Sequence, residues 1–139
     1  MSDCLKIVLK NEIAELEKLS LELEQFGAAN DIPPKVMFQV NLALDEIVTN
    51  IISYGYADGL EHEFAIDISV STNKLFIIVS DDGITFNPLT VPAPDMDLAP
   101  EDRKIGGLGI HLARKVMDEM DYERRGCWNV LKMIKTITD

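Results

Sequence analysis

Leu42-Ala43-Leu44-Asp45-Glu46-Ile47-Val48-Thr49-Asn50-Ile51-Ile52-Ser53-Tyr54-Gly55-Tyr56 sets a glutamate and an asparagine four residues apart in an otherwise apolar segment. In a helix, residues i and i+4 lie on one face, a single turn apart. A carboxylate and a carboxamide oxygen so placed can converge on one ligand. A buried polar pair is costly without partners, so the pair calls for a reason. Two readings stand at this point: a ligand site, or a wet edge of the helix.

Upstream, Asp31-Ile32-Pro33-Pro34 is a helix start with proline in the first turn. The helix is expected over about 33–54. Its run of apolar residues from Val36 to Ile52 predicts that it is largely buried. Before it, Leu5–Leu9 leans to a strand. Residues 12–26 repeat apolar side chains at 13, 16, 19, 23 and 26, the spacing of a helix, with Asn11 as N-cap and Gly27 as stop. After it, 64–70 alternates like a half-exposed strand and 75–80 reads as a central one, with Ser71-Thr72-Asn73-Lys74 as a hairpin connection. A third helix is expected over roughly 107–120, with Ile110, Ala113, Val116, Met117 and Met120 inward. Tyr122–Arg125 and Asn129–Lys135 then form a terminal hairpin. This β-α-α-β-β-α-β-β order predicts an α+β two-layer sandwich: a mixed, mostly antiparallel sheet with about three helices on one face. A doubly wound fold is excluded by the lack of βαβ alternation.

The 139 residues fit one domain, 1–139, of ordinary globular composition, 47% apolar and 27% charged. A net charge of −11 argues against a sequence-independent grip on nucleic acid or on anionic lipid. It leaves room for a phosphorylated small molecule held by backbone donors, and for a basic protein partner. No apolar run is long enough for a membrane span. Met1-Ser2-Asp3-Cys4 lacks the layout of a secretory signal. The expected location is therefore cytoplasmic, with Cys4 and Cys127 reduced.

Three segments carry chemistry. Asn50 can give an oxygen to Mg²⁺, a hard cation, and Glu46 stands at the right spacing for a general base. In Val79-Ser80-Asp81-Asp82-Gly83-Ile84-Thr85-Phe86 a strand delivers an aspartate to its end and Gly83 allows a sharp turn. A buried carboxylate there accepts from an exocyclic amino group such as that of adenine. An ordinary Asp-Asp-Gly turn is the alternative. Gly106-Gly107-Leu108-Gly109-Ile110 opens a helix, where glycines let a phosphate approach free N–H donors. It is neither a Walker pattern nor a Rossmann fingerprint. Between the second and third segments, residues 87–105 hold four prolines and no periodicity, as a functional loop does. His62 is expected on the surface and His111 in local packing.

In series, the three segments resemble the Bergerat-fold ATPases, the histidine-kinase-like superfamily of gyrase, sensor kinases and MutL. More narrowly, Ala43–Tyr56, Val79–Pro88 and Gly106–Met120 resemble the bacterial anti-sigma factor serine/threonine kinases of the RsbW and SpoIIAB type. Tyr122–Arg125 and Asn129 continue that family's ending. The resemblance implies an ATP-dependent protein kinase that phosphorylates a STAS-domain anti-anti-sigma protein, sequesters a sigma factor, and forms a homodimer. It implies that Glu46 is the base, that Asn50 holds Mg²⁺, and that Asp81 reads the adenine amino group beside Gly83. It further implies that Gly106, Gly107, Leu108 and Gly109 contact phosphates, and that about 88–105 is a nucleotide lid. Arg103 and Lys104 are the basic pair near that lid. Two departures stand out. The Gly-Thr-type box that closes the larger superfamily is not evident, and the second segment ends in Ile84-Thr85-Phe86 where sensor kinases have Gly-x-Gly. A non-catalytic ATP-binding module and a detached sensor-kinase domain remain as alternatives.

Overall fold

Residues 3–90 and 107–138 are described in the computed structural model of the chain. Five strands and three helices follow one another: β1 (Cys4–Lys10), α1 (Glu15–Ala29), α2 (Pro34–Tyr54), β2 (Glu63–Ser71), β3 (Lys74–Asp81), α3 (Gly107–Val116), β4 (Glu119–Arg125) and β5 (Trp128–Thr136). A 3-10 turn, Pro88–Thr90, follows β3 among the described residues. The strands lie in the order β1-β2-β3-β5-β4. Every ladder among the described residues is antiparallel, where a partly parallel sheet was expected. The α+β sandwich itself is as expected, and β3 is the central strand.

Strand alternation sends every second side chain to one face. On that face Ile7 and Leu9, Phe64, Ile66 and Ile68, Leu75, Ile77 and Val79, and Leu131 and Met133 are all buried. The register joins them in rows, Ile66 to Val79 to Leu131 and Ile68 to Ile77 to Met133. The helices cover these rows. Leu19, Leu23 and Phe26 of α1, Val40, Leu44, Ile47 and Val48 of α2, and Ile110 and Ala113 of α3 complete one core.

Three local expectations change. The first helix starts at Glu15 and runs through Gly27 to Ala29. Asn11 is not its cap. The Asn11 amide donates to the Leu60 carbonyl (3.1 Å) and accepts the His62 N–H (2.8 Å), tying β1 to the chain before β2. Gly27 continues the helix because Met37 of α2 packs where its side chain would be. Second, α2 is not buried all round: Val36, Val40, Ala43, Leu44, Ile47 and Val48 face the core, but Phe38 is 68% exposed. Third, α3 stops at Val116 and Met120 belongs to β4. Asp118 redirects the chain there. Its N–H donates to Ile134 O (2.9 Å) and its carboxylate accepts the Thr136 N–H (2.6 Å).

The hairpin turn is as read: Thr72 and Asn73 both have positive φ, the geometry of a two-residue turn between twisted strands.

Because Leu44 is wholly buried and Phe38 is not, Leu44→Ala should cost about 2–5 kcal/mol. Phe38→Ala should stay within about 0.5 kcal/mol. Urea unfolding measures both, and equal losses would contradict the assigned face of α2.

Candidate functional site

The inner rows of the sheet end in polar residues at one edge. Asp81 follows Val79 on β3, Asn129 precedes Leu131 on β5, and the two are paired directly across the ladder. Both are buried, at 7% and 6% exposure, and they are the buried polar side chains among the described residues. Gly83 N–H and Asn129 Nδ2 each donate to Asp81 Oδ1 at 3.0 Å. Both bonds use one oxygen, which leaves Oδ2 for a donor entering from outside.

A cavity of about 300 Å³ opens beside this pair. Ile47, Asn50, Ile51 and Tyr54 of α2 form one wall, and Val79, Ile84 and Phe86 another. Ile110 of α3, Tyr122 of β4 and Leu131 of β5 close it. The slot is mostly apolar with a carboxylate at its base. Such a site suits a flat heterocycle carrying an N–H donor.

Gly83 is required for a reason other than the one the sequence suggests. Its φ is not left-handed. Instead it lies so close to the Gly55 carbonyl that a methyl group would overlap it. Ile84 N–H donates to that same carbonyl (2.9 Å), so the end of α2 and the turn after β3 are fastened together. Outside this seam, Tyr56 donates to Asp82 (2.9 Å) and stacks on His62, with ring centroids 4.2 Å apart. Burial, then the bond to Asp82, holds the Tyr56 hydroxyl well above the ordinary phenol range. His62, expected at the surface, is thus half-buried and bonded to Asp58.

Glu46 and Asn50 follow one another along α2 toward the same end of the fold. Asn50 lines the cavity, and its Nδ2 is buried without a partner. A buried amide left incomplete costs about 1–3 kcal/mol, and amide nitrogen and oxygen are told apart only by their partners. The group therefore fits a site completed by something absent from the protein: a cation or a water attached to one. Glu46 is half-buried and packs against Gly109, where a Cβ would collide with its carboxylate. Gly109 is thus glycine to admit Glu46. Beside it, Asp45 Oδ1 is also buried without a partner, and burial, then the charge of Glu46, pushes its carboxyl up.

α3 begins at Gly107, so the free N–H groups of its first turn belong to Gly107, Leu108 and Gly109. Glu46, Asn50, Asp81, Gly83 and Gly109 are therefore brought to one end of the sandwich, with the start of α3 beside them. Gly106, Arg103, Lys104 and the expected lid beyond Thr90 lie outside the described residues. Pro88–Thr90, the first residues of the expected lid, form the 3-10 turn, capped by Asn87 Oδ1 on Leu89 N–H (2.9 Å).

Sequence reading missed the part played by Gly55, Tyr122 and Asn129. For Asn129 the signal was available: strand alternation counted back from Met133 and Leu131 puts it on the inner face.

Burial is the main cause that raises the Asp81 carboxyl above its ordinary range, against the bonds from Asn129 and Gly83 that lower it. A folded-state value above the unfolded one means that ionisation opposes folding. The stability concerned is present below the unfolded value, about pH 4, and is lost as pH rises through the folded one. Asp81→Asn keeps the oxygen that accepts both bonds and cannot ionise. It should melt at a higher temperature than wild type at pH 7, with the gap closing below about pH 4. A lower melting temperature at pH 7 would contradict this account of Asp81.

Comparison with known proteins agrees with the fold. The family described as Histidine kinase-like ATPase domain matches residues 9–135. The serine/threonine-protein kinase BtrW of Bordetella bronchiseptica is 24% identical over 111 residues, 80% of this chain and 78% of that protein. The serine-protein kinase RsbW of Listeria monocytogenes is 25% identical over 120 residues, 84% of this chain and 75% of that one. Among solved structures, the RsbU and RsbW domains of Rv1364c from Mycobacterium tuberculosis superpose with a TM-score of 0.72 at 14% identity. That match covers 99% of this chain and 33% of the other, and it bears on the fold alone.

Proposed function

The chain belongs to the histidine kinase-like ATPase domain family, and from that premise we propose that it is an ATP-dependent serine/threonine protein kinase and anti-sigma regulator. Its substrate would be a STAS-domain anti-anti-sigma protein, and it would also hold a sigma factor. The observation that carries the reading is a buried Asp81 and an incomplete Asn50 lining one cavity, with Glu46 one helical turn from Asn50 and seated against Gly109. Relatives named as serine kinases support the kinase class.

In this reading the base of ATP enters the slot between α2 and β3 and its amino group donates to Asp81 Oδ2. The phosphates then run toward the first turn of α3, where backbone N–H groups of Gly107, Leu108 and Gly109 meet them. Asn50 would hold Mg²⁺ through its amide oxygen, and the cation would supply positive charge to offset that of the phosphates. Glu46 accepts the proton of a substrate hydroxyl. As that hydroxyl oxygen bonds to the γ-phosphorus, the bridging P–O bond breaks and ADP leaves. The segment from about 88 to 105 would be the lid over the nucleotide.

A homodimer fits the outer face of the sheet. Phe76 and Ile78 of β3 and Ile134 of β5 lie there, with Phe76 36% exposed and Ile78 flanked across the ladders by Asp67 and Lys132. A second copy is the proposed cover for that face.

The kinase reading is tested with labelled ATP, Mg²⁺ and each STAS-domain protein encoded nearby. Transfer to a serine or threonine is expected, and no transfer to any of them would contradict the reading. Glu46→Gln should keep ATP affinity and lose about 10²–10⁴-fold in transfer rate. Asn50→Ala should lose the Mg²⁺-dependent part of ATP affinity. Wild-type transfer rates in Glu46→Gln would remove Glu46 as the base.

A further inference from the structure

Asn129 has the most complete set of hydrogen bonds in the site. Its Nδ2 donates to Asp81 Oδ1 (3.0 Å) and to the Ile84 carbonyl (2.7 Å). Its Oδ1 accepts the Phe86 N–H (3.3 Å) and the Tyr122 hydroxyl. Both protons of the amide and both lone pairs of its oxygen are thereby used. The orientation of the amide follows from these partners, because a flip would set its oxygen against a carboxylate and a carbonyl. The residue is 6% exposed and also lines the cavity. One side chain on β5 therefore joins the carboxylate of β3, the backbone of the turn after β3, and the phenol of β4.

Such a junction exceeds what the sheet needs. A hydrocarbon side chain at this position would continue the inner row of Leu131 and Met133. Asp81, by contrast, needs a donor on one oxygen. Gly83 N–H alone leaves Oδ1 with a single donor, from the turn, and Asn129 adds the second from the ladder side.

We propose that Asn129 is a positioning residue for the nucleotide base: it occupies Asp81 Oδ1 from the ladder side and so presents Oδ2 alone to the amino group of the base. Through Ile84 and Phe86 it also fixes the turn that forms one wall of the slot, and Tyr122 locks its oxygen. This rests on the nucleotide reading given above.

The charged and titratable groups around Asp81 are Asp82 beside it, Tyr56 from the segment after α2, and Tyr122 and Arg124 from β4. The Arg124 guanidinium is bonded to the Gly83 carbonyl (3.1 Å). Arg124 and the Asn129 bond favour ionised Asp81, whereas burial and Asp82 oppose it.

The test is calorimetric titration of Mg-ATP into the full chain from pH 5 to pH 8, for wild type, Asn129→Ala and Asn129→Asp, with melting curves at each pH. Wild-type affinity should fall on the acid side as Asp81 takes up a proton. Asn129→Ala should bind about tenfold more weakly at pH 7, and the acid fall should begin about one pH unit higher. The titration of ATP itself cancels in the difference between the two profiles. Asn129→Asp keeps the size and faces Asp81 with a second carboxylate. The pair binds one proton between them at mildly acid pH, so this variant should bind ATP best near pH 5–6 and lose it toward pH 8, the reverse of wild type.

If Asn129→Ala does not fold, the reversed profile of Asn129→Asp decides. Folded variants with the wild-type pH profile would overturn the role of Asn129 and leave the nucleotide reading intact. A wild-type protein that binds no ATP at any pH would overturn both.

Discussion

The site depends on one arrangement: a carboxylate buried at the end of an otherwise hydrocarbon row. Asp81 continues the inward positions of Leu75, Ile77 and Val79, so strand alternation carries it into the core edge. A charge there is opposed by its own burial. It is held by the Gly83 N–H and by Asn129 across the ladder, both on one oxygen. The surroundings then follow. Gly83 must lack a side chain to bring its N–H in over Gly55, the Gly55 carbonyl must receive Ile84, and α2 must end where it does. A protein selected for stability alone would do better with an amide at this position. The carboxylate is what the proposed nucleotide site uses.

A second constraint links the helices. Gly109 has no room for a Cβ because Glu46 occupies that space, so α3 approaches α2 at the level of the catalytic candidate. The same approach brings the first turn of α3 to the mouth of the cavity that Asn50 lines. Gly109 thus allows the close helix contact, and the first turn of α3 to which it belongs carries free backbone donors.

Much of this was legible in the sequence. The bounds of α2 follow from Pro33-Pro34 and Tyr54-Gly55, and the hairpin at Thr72-Asn73 from the two alternating runs around it. Asp81 at a strand end and Glu46 and Asn50 on one helix could each be named, because helix and strand periods are local properties. What was not legible depended on distant partners. Gly27 reads as a stop until Met37 is packed against it. Asn11 reads as a cap until the chain near Leu60 and His62 claims its amide. Met120 continues the helical stripe until Asp118, bonded to β5, starts the chain into β4. Asn129 lies in an unremarkable strand, and its role exists only through its pairing with Asp81, a register set by the whole sheet.

The central claim is that Asp81 receives an exocyclic amino group in the cavity between α2, β3 and α3. Comparing the affinities of the wild-type chain for ATP and for inosine triphosphate tests it directly. Inosine triphosphate has the same phosphates and a ring of the same size, but an oxygen replaces the amino group. With Mg²⁺ at pH 7, the account predicts binding weaker by about a hundredfold or more, because an acceptor would face a buried carboxylate. Equal affinities for the two nucleotides would contradict it.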